Sequence, residues 1–222
     1  MRILSVATSL SEDSSTLRLA ERILSAAVAA GEEHGLTIET DSINVRTLTT
    51  SLTDMTLTGF RSEALEEAFA KVAEADAIVT VTPVYKVAPV GLHTLFWQLI
   101  DERALAGTPV LIGSTGGTPR HSQAAETMLR PVLAYLKGLV VPTSVFAATD
   151  DWGSVEGGRS LGGRIRQAAD ELVSLAASVT GATGTTTSTT SVGTSATTPP
   201  RTVDAFDPEL ITPFAELLEG RA

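Results

Sequence analysis

The 222-residue sequence contains no cysteine, which excludes disulfides, thiolate nucleophiles and Cys-ligated metals from its chemistry. Histidine is nearly as scarce. His34, His93 and His121 are scattered too widely for a metal-ligand spacing, and no H-E-x-x-H is present, so no bound metal is expected. No segment approaches the ~18 consecutive apolar residues of a membrane span. The opening Met1-Arg2-Ile3-Leu4 also lacks the layout of a signal peptide. A cytoplasmic protein with no membrane partner is the expectation. Basic residues are few, 16 against 26 acidic ones, and the net charge of −10 opposes any broad attraction to nucleic acid. Aromatics make up 5% of the chain, so the core must be mainly aliphatic, as suits buried parallel strands.

What is present reads as alternating strands and helices. Residues 3–7 form a short apolar run, residues 8–16 are polar, and Ala20, Ile23, Leu24, Ala27 and Val28 then recur at helical spacing. The helix should stop near residues 31–35, and residues 36–43 alternate like a half-buried or edge strand. A Thr-rich connection, 44–59, leads to Ser62 as an N-cap, with Glu63 and Glu66 in the first turn and Leu65, Ala68, Phe69 and Val72 on the buried face. Strands follow at 76–82, interrupted by Pro83, at 109–114 and at 139–147. Helices are expected at 92–100, at 121–136 and around Ile165, Ala168, Ala169, Leu172, Val173 and Ala176. In the 121–136 helix the face is Ala125, Met128, Leu129, Val132 and Leu136, and Pro131 should kink or restart it. Five such alternations predict an α/β fold with a parallel sheet covered on both faces, in flavodoxin-like or dinucleotide-binding order.

Residues 181–200 collapse to Thr, Ser, Gly and Ala, a composition that buries too little apolar surface to offset its ordering entropy. The expected organisation is a domain over 1–180, a low-complexity linker over 181–200, and a terminal segment over 201–222. In that last segment Thr212-Pro213 forms an N-cap and N1 pair, and Leu210, Ile211, Phe214, Leu217 and Leu218 form the apolar stripe of a short amphipathic helix.

Ligands of an open parallel sheet sit beyond the carboxyl ends of its strands, which directs attention to the loops after strands one, three and four. The first, Thr8-Ser9-Leu10-Ser11-Glu12-Asp13-Ser14-Ser15-Thr16, runs hydroxyls into a helix start, where a phosphate would fit; ordinary Ser/Thr capping explains it as well. Neither G-x-G-x-x-G nor G-x-x-x-x-G-K-[ST] occurs, so a mononucleotide such as FMN is favoured over a dinucleotide at this loop. The second loop carries Pro83, Val84 and Tyr85. The third, Ser114-Thr115-Gly116-Gly117-Thr118, has paired glycines that let main chain approach a flat ring.

These three segments together resemble the NAD(P)H-dependent FMN reductase family. The nearest branch is the one that supplies reduced flavin to two-component monooxygenases such as the alkanesulfonate systems. The likeness runs from Met1 to about Trp152. Ser9, Ser14 and Thr16 fall on the serine, serine and asparagine of the family's G-S-x-R-x-x-S-x-N loop, with Ser11 where arginine is frequent. TPVYKVAPVGLHTLFWQLIDERALAGTPVL at 82–111 and STGGTPRH at 114–121 look like the second and third motifs.

The resemblance implies a flavodoxin-like, doubly wound five-stranded parallel sheet of order 2-1-3-4-5. Ser9, Ser11, Ser14, Ser15 and Thr16 would hold the phosphate, and Pro83, Val84 and Tyr85 would border the flavin. Thr115, Gly116, Gly117 and Thr118 would approach the isoalloxazine. It also implies FMN and NAD(P)H as cofactors, hydride transfer between them, and a homodimer or homotetramer. No catalytic side chain is implied. Relatives in the branch can carry an aromatic residue near the position of Thr127, and this chain does not.

Other chemistry-bearing residues invite plainer readings. Arg120 and His121 adjoin the third loop and would either touch nicotinamide or serve as surface groups, while His93 on its apolar helix reads as structural or interfacial. Ser114 lacks the G-x-S-x-G elbow. Asp101-Glu102 and Asp150-Asp151 are neighbours in sequence that point apart and read as solvent-facing. Phe96 and Trp97 read as a core or subunit contact. The rival functions are an FMN-dependent quinone or azo reductase and a flavodoxin-like carrier.

Overall fold

The computed structural model describes residues 1–11 and 14–182. The linker and terminal helix expected beyond that point lie outside the described residues. Strand β1 (Arg2–Ala7) buries Ile3 and Ala7 on one face and Leu4 and Val6 on the other, so both faces of the sheet need covering. Helix α1 (Ser15–Glu33) covers the first with Leu19, Ile23, Ala27 and Ala30, and is capped by Ser14. It ends at His34 and Gly35, near the expected place. Strand β2 (Glu39–Asn44) pairs only with β1 and is largely exposed, an edge strand as its alternation suggested.

The Thr-rich connection contains a helix that the pattern hid. After a 3₁₀ turn (Val45–Leu48), helix α2 (Thr49–Thr58) forms and stops at Gly59, which is left-handed at φ 73°. Its hydroxyls turn back on the helix: Thr53, Thr56 and Thr58 donate to the carbonyls of Thr49, Leu52 and Asp54. Only Leu52 is buried, so there was no apolar stripe to read. Helix α3 (Glu63–Ala73) has Ser62 at its N-cap, accepting from Leu65 N at 3.3 Å, and buries the four residues expected.

Strand β3 (Ala77–Tyr85) runs through Pro83 rather than breaking there. Val81 turns its carbonyl toward β1 and accepts from Thr8 N, and Pro83, two residues on, faces the same side beyond the end of β1. The missing N–H therefore falls where no β1 ladder remains. The chain then turns back as a two-residue hairpin, pairing Tyr85 with Ala88 and Val84 with Pro89 of β4 (Ala88–Pro89). Lys86 and Val87 form its tip with φ of 49° and 65°.

Helix α4 (Gly91–Leu99), strand β5 (Pro109–Gly116) and helix α5 (Ala124–Tyr135) follow. Pro131 lies inside α5 without ending it. The buried face is Ala125, Leu129, Leu133 and Leu136, whereas Met128 is exposed, a correction to the expected stripe. The last strand position is split into β6 (Leu139–Val140) and β7 (Val145–Ala148), because Pro142 between them cannot donate to the ladder. A short helix α6 (Asp150–Gly153) leads into α7 (Val155–Thr180), which buries Leu161, Ile165, Ala168, Ala169, Leu172, Val173 and Ala176 beside α1. Helices α1 and α7 cover one face, and α2, α3, α4 and α5 the other.

The main path of the sheet is β2-β1-β3-β5-β6, with β7 continuing beside β5 and β4 beside β3. This is the flavodoxin-like order 2-1-3-4-5, with its fifth position divided and a small hairpin added. All pairings except β3 with β4 are parallel.

Candidate functional site

The carboxyl ends of β1, β3, β5 and β7 open into one cavity of about 400 Å³. Of the twelve residues the sequence singled out, ten line it: Ser11, Ser14, Ser15 and Thr16 from the first loop, Pro83, Val84 and Tyr85 from the second, and Thr115, Gly116 and Gly117 from the third. Ser9 and Thr118 do not. Ser9 is buried beneath the loop, its amide donating to Asn44 Oδ1 at 3.2 Å and its hydroxyl to Ser11 O, so it shapes the loop from within. Thr118 is exposed and begins the 3₁₀ turn Pro119–His121.

The first loop ends at the 19-residue α1, whose N-terminus concentrates amide donors and a positive dipole end. Ser14 Oγ accepts from Thr16 N and Leu17 N, at 3.2 and 3.4 Å, both long bonds. Thr16 is buried, and its hydroxyl meets that of Thr115 at 2.8 Å, tying the first loop to the third. At the other end of the cavity Tyr85, 56% exposed, stands at the lip beside the hairpin tip. Neither Gly116 nor Gly117 has a positive φ, so no left-handed conformation explains the pair. A Cβ on Gly117 would meet no heavy atom within 4 Å, whereas one on Gly116 would come 3.0 Å from Phe146 Cζ. Space in front of Gly117 is therefore open to a ligand.

The sequence reading missed five lining residues: Leu10, Arg18, Ala147, Thr149 and Trp152. Thr149 and Trp152 follow the last strand, whose loop was not searched although the same switch-point rule covers it. Arg18 lies one turn inside α1 and carried no motif. Arg120 and His121 are outside the lining. Among the described lining residues there is no carboxylate, imidazole or lysine, and no described group of three His, Asp or Glu could hold a metal. The walls supply hydroxyls, main chain, one guanidinium and aromatic surface, a set suited to binding and orienting a ligand.

Below the cavity floor lies a buried polar chain. His93 is wholly buried, and burial pushes its imidazole down to about 3, so it is neutral. Its Nδ1 meets Thr8 Oγ1 at 2.7 Å and its Nε2 meets Thr80 Oγ1 at 2.8 Å. Trp97 Nε1 donates to Thr80 Oγ1 at 3.0 Å and toward His93 Nε2 at 3.3 Å. An N–H aimed at Nε2 requires a lone pair there, which puts the proton on Nδ1, donating to Thr8 at the root of the first loop. Phe96 and Trp97 pack edge to face, 5.2 Å between centroids, inside the core. The neighbouring acids are engaged as well. Asp101 pairs with Arg61, whose hydrogen bonds hold its carboxyl below the usual range, Glu102 accepts from Tyr135, and Asp151 accepts from Ala148 N at 2.8 Å.

Comparison with known proteins narrows the family. The NADH-dependent FMN reductase SfnE of Pseudomonas putida is 37% identical over 114 residues, 51% of this chain and 61% of that protein. An FMN reductase (NADPH) of Pseudomonas aeruginosa is 33% identical over 112 residues, 50% and 60% respectively. The match thus spans about six-tenths of the length of these two relatives. A solved oxidoreductase from Corynebacterium diphtheriae superposes with a TM-score of 0.76 at 36% identity, covering 80% of this chain and 97% of that one. The sequence profile of the NADPH-dependent FMN reductases matches residues 1–153, the stretch that contains every strand among the described residues and all three cavity loops. The chain belongs to the NADPH-dependent FMN reductase family.

Proposed function

We propose that the protein is an NAD(P)H-dependent FMN reductase, transferring a hydride from reduced nicotinamide to FMN and supplying the reduced flavin to a flavin-dependent monooxygenase. One observation carries this reading. A hydroxyl-lined helix start and main chain left open at Gly117 face the same cavity, at the switch-point end of the sheet. The volume of about 400 Å³ lies within the range of cofactor sites.

FMN, when bound, supplies the redox chemistry by accepting the hydride. The chain's part is to hold and orient. Ser11, Ser14, Ser15 and Thr16 hold the phosphate at the α1 N-terminus, with Ser9 setting the loop's shape. Pro83, Val84 and Tyr85 border the ring on one side, and Thr115, Gly116 and Gly117 border it on the other, with Thr118 just outside the lining. The His93 chain fixes the root of the first loop through Thr8. No side-chain acid or base is assigned, because positioning alone lowers the barrier to a direct hydride transfer. The reductase domain spans 1–180, with the linker 181–200 and the segment 201–222 appended. The assembly is a cytoplasmic homodimer or homotetramer.

Steady-state oxidation of NADH and NADPH with FMN, FAD and riboflavin side by side tests the proposal. Sustained turnover with free FMN is expected. Quinone turnover without free-flavin exchange would instead make the protein a quinone reductase, and a single turnover without recycling would make it a carrier.

A further inference from the structure

Arg18 and Arg22 stand four residues apart on α1 and so share one face of the helix. Trp152, from α6, lies against both, with the guanidinium carbons 5.3 and 5.4 Å from its ring centroid. Arg166 of α7 joins them: Arg22 Nη2 and Arg166 Nη1 come within 3.8 and 3.7 Å of the same point beside Gly162. Arg2, Arg61, Lys71, Arg130 and Arg164 pair with carboxylates, whereas Arg18, Arg22 and Arg166, like Arg46, Lys86, Arg103, Arg120, Lys137 and Arg159, pair with none among the described residues. What sets the three apart is that they converge around Trp152 and Gly162. In a protein of net charge −10, three convergent unpaired guanidinium groups form a local field of the opposite sign, and their repulsion is relieved by an anion seated among them.

The direction of this row identifies the anion. Arg18 is in the cavity wall; Arg22 and Arg166 are outside the lining. A ligand that meets all three begins in the cavity and extends out of it along α1, as a dinucleotide with its nicotinamide half in the cavity would. A guanidinium stacked on an aromatic face keeps its in-plane N–H groups free for bidentate contact with phosphate oxygens. We infer that Arg18, Arg22, Arg166 and Trp152 bind the phosphorylated adenosine half of NADPH, and that pairing with its 2′-phosphate makes this chain select NADPH over NADH. The inference rests on the flavin-reductase reading for the nicotinamide half. It decides a point on which the relatives' names divide.

The test measures kcat/KM for NADPH and NADH on the full chain with FMN, and in parallel titrates adenosine 2′,5′-bisphosphate and adenosine 5′-monophosphate, following tryptophan fluorescence. NADPH is expected to be preferred, and Arg22→Ser should lower the NADPH-to-NADH ratio about tenfold or more through KM, the scale of a lost charge-assisted contact. Arg166→Ser, an exposed helix position, should lower it in the same direction with the fold untouched. The bisphosphate should bind more tightly than the monophosphate, and Arg22→Ser should abolish the difference. Equal use of both nucleotides by the unaltered protein, or a ratio indifferent to both substitutions, overturns the inference. Quenching of FMN fluorescence on the same samples reports the flavin site separately. Its absence, with bisphosphate discrimination intact, would overturn the flavin reading and leave the 2′-phosphate site standing.

Discussion

His93 shows how much a single side chain can be asked to do without any chemistry of its own. Its folded value of about 3 lies below the ~6.5 of free imidazole, so the unfolded chain takes up a proton that the folded chain refuses. The stability it contributes is complete above about pH 6.5 and is lost as pH falls toward 3. His93→Leu should therefore cost about 1–3 kcal/mol at pH 7 and flatten the fall in denaturant midpoint between pH 7 and pH 4.5. An unchanged slope would mean that His93 does not govern it. At Gly117 the expectation is reversed: activity suffers and stability does not. A valine there meets open space in the apo protein and no strained φ, so the melting temperature should stay near that of the unaltered chain. FMN-dependent NAD(P)H oxidation should fall on the order of a hundredfold, because the added methyls occupy the ring's place. Normal turnover by folded Gly117→Val would remove the ring from that wall. Both glycines were visible in the sequence as a pair; that Gly116 abuts Phe146 while Gly117 faces the cavity was not, since it depends on the neighbouring strand.

The hairpin between β3 and β4 holds two L-residues in left-handed conformation, one of them the β-branched Val87, which is 60% exposed. Two-residue hairpins of this kind favour Asn-Gly, and each misplaced residue costs about 1–2 kcal/mol. Replacing Lys86-Val87 with Asn-Gly should therefore raise the unfolding free energy by that order, measured by denaturant titration; no gain would show the turn to be unstrained. Nothing in the sequence marks this turn, because Lys-Val is a poor turn pair and Pro83 looks like the end of a strand. Helix α2 escaped notice for the opposite reason. Its five threonines carry the composition of a loop, and with only Leu52 buried it leaves no periodic stripe. Elements whose apolar residues face a core, such as α1, α3 and α7, were legible because burial imposes the 3.6-residue spacing. Those stabilised by local hydroxyl bonds or strained turns were not.

At the scale of the molecule, the alternation of five strands with helices was enough to give a parallel sheet covered on both faces, because right-handed parallel crossovers leave few topologies, and the family resemblance was needed to choose the flavodoxin-like order over the dinucleotide-binding one. The convergence of first, second and third loops followed from that order, while the fourth wall, Thr149 and Trp152, needed the fold to bring α6 beside α1. The core closes within the described residues, with α7 burying its last side chain at Ala176 and capping at Gly181. A chain ending at Ala182 is therefore expected to fold cooperatively and bind FMN; aggregation or a lost transition would place part of 183–222 in the core. The proposed flavin chemistry requires the α1 N-terminus and its serines to receive a flavin phosphate. That claim is tested most directly by titrating the full chain with FMN and with riboflavin, which share the ring and differ in the phosphate. Binding of FMN at least about tenfold tighter, with Ser14→Ala narrowing the gap, is the predicted result. Equal affinity for the two flavins would contradict it.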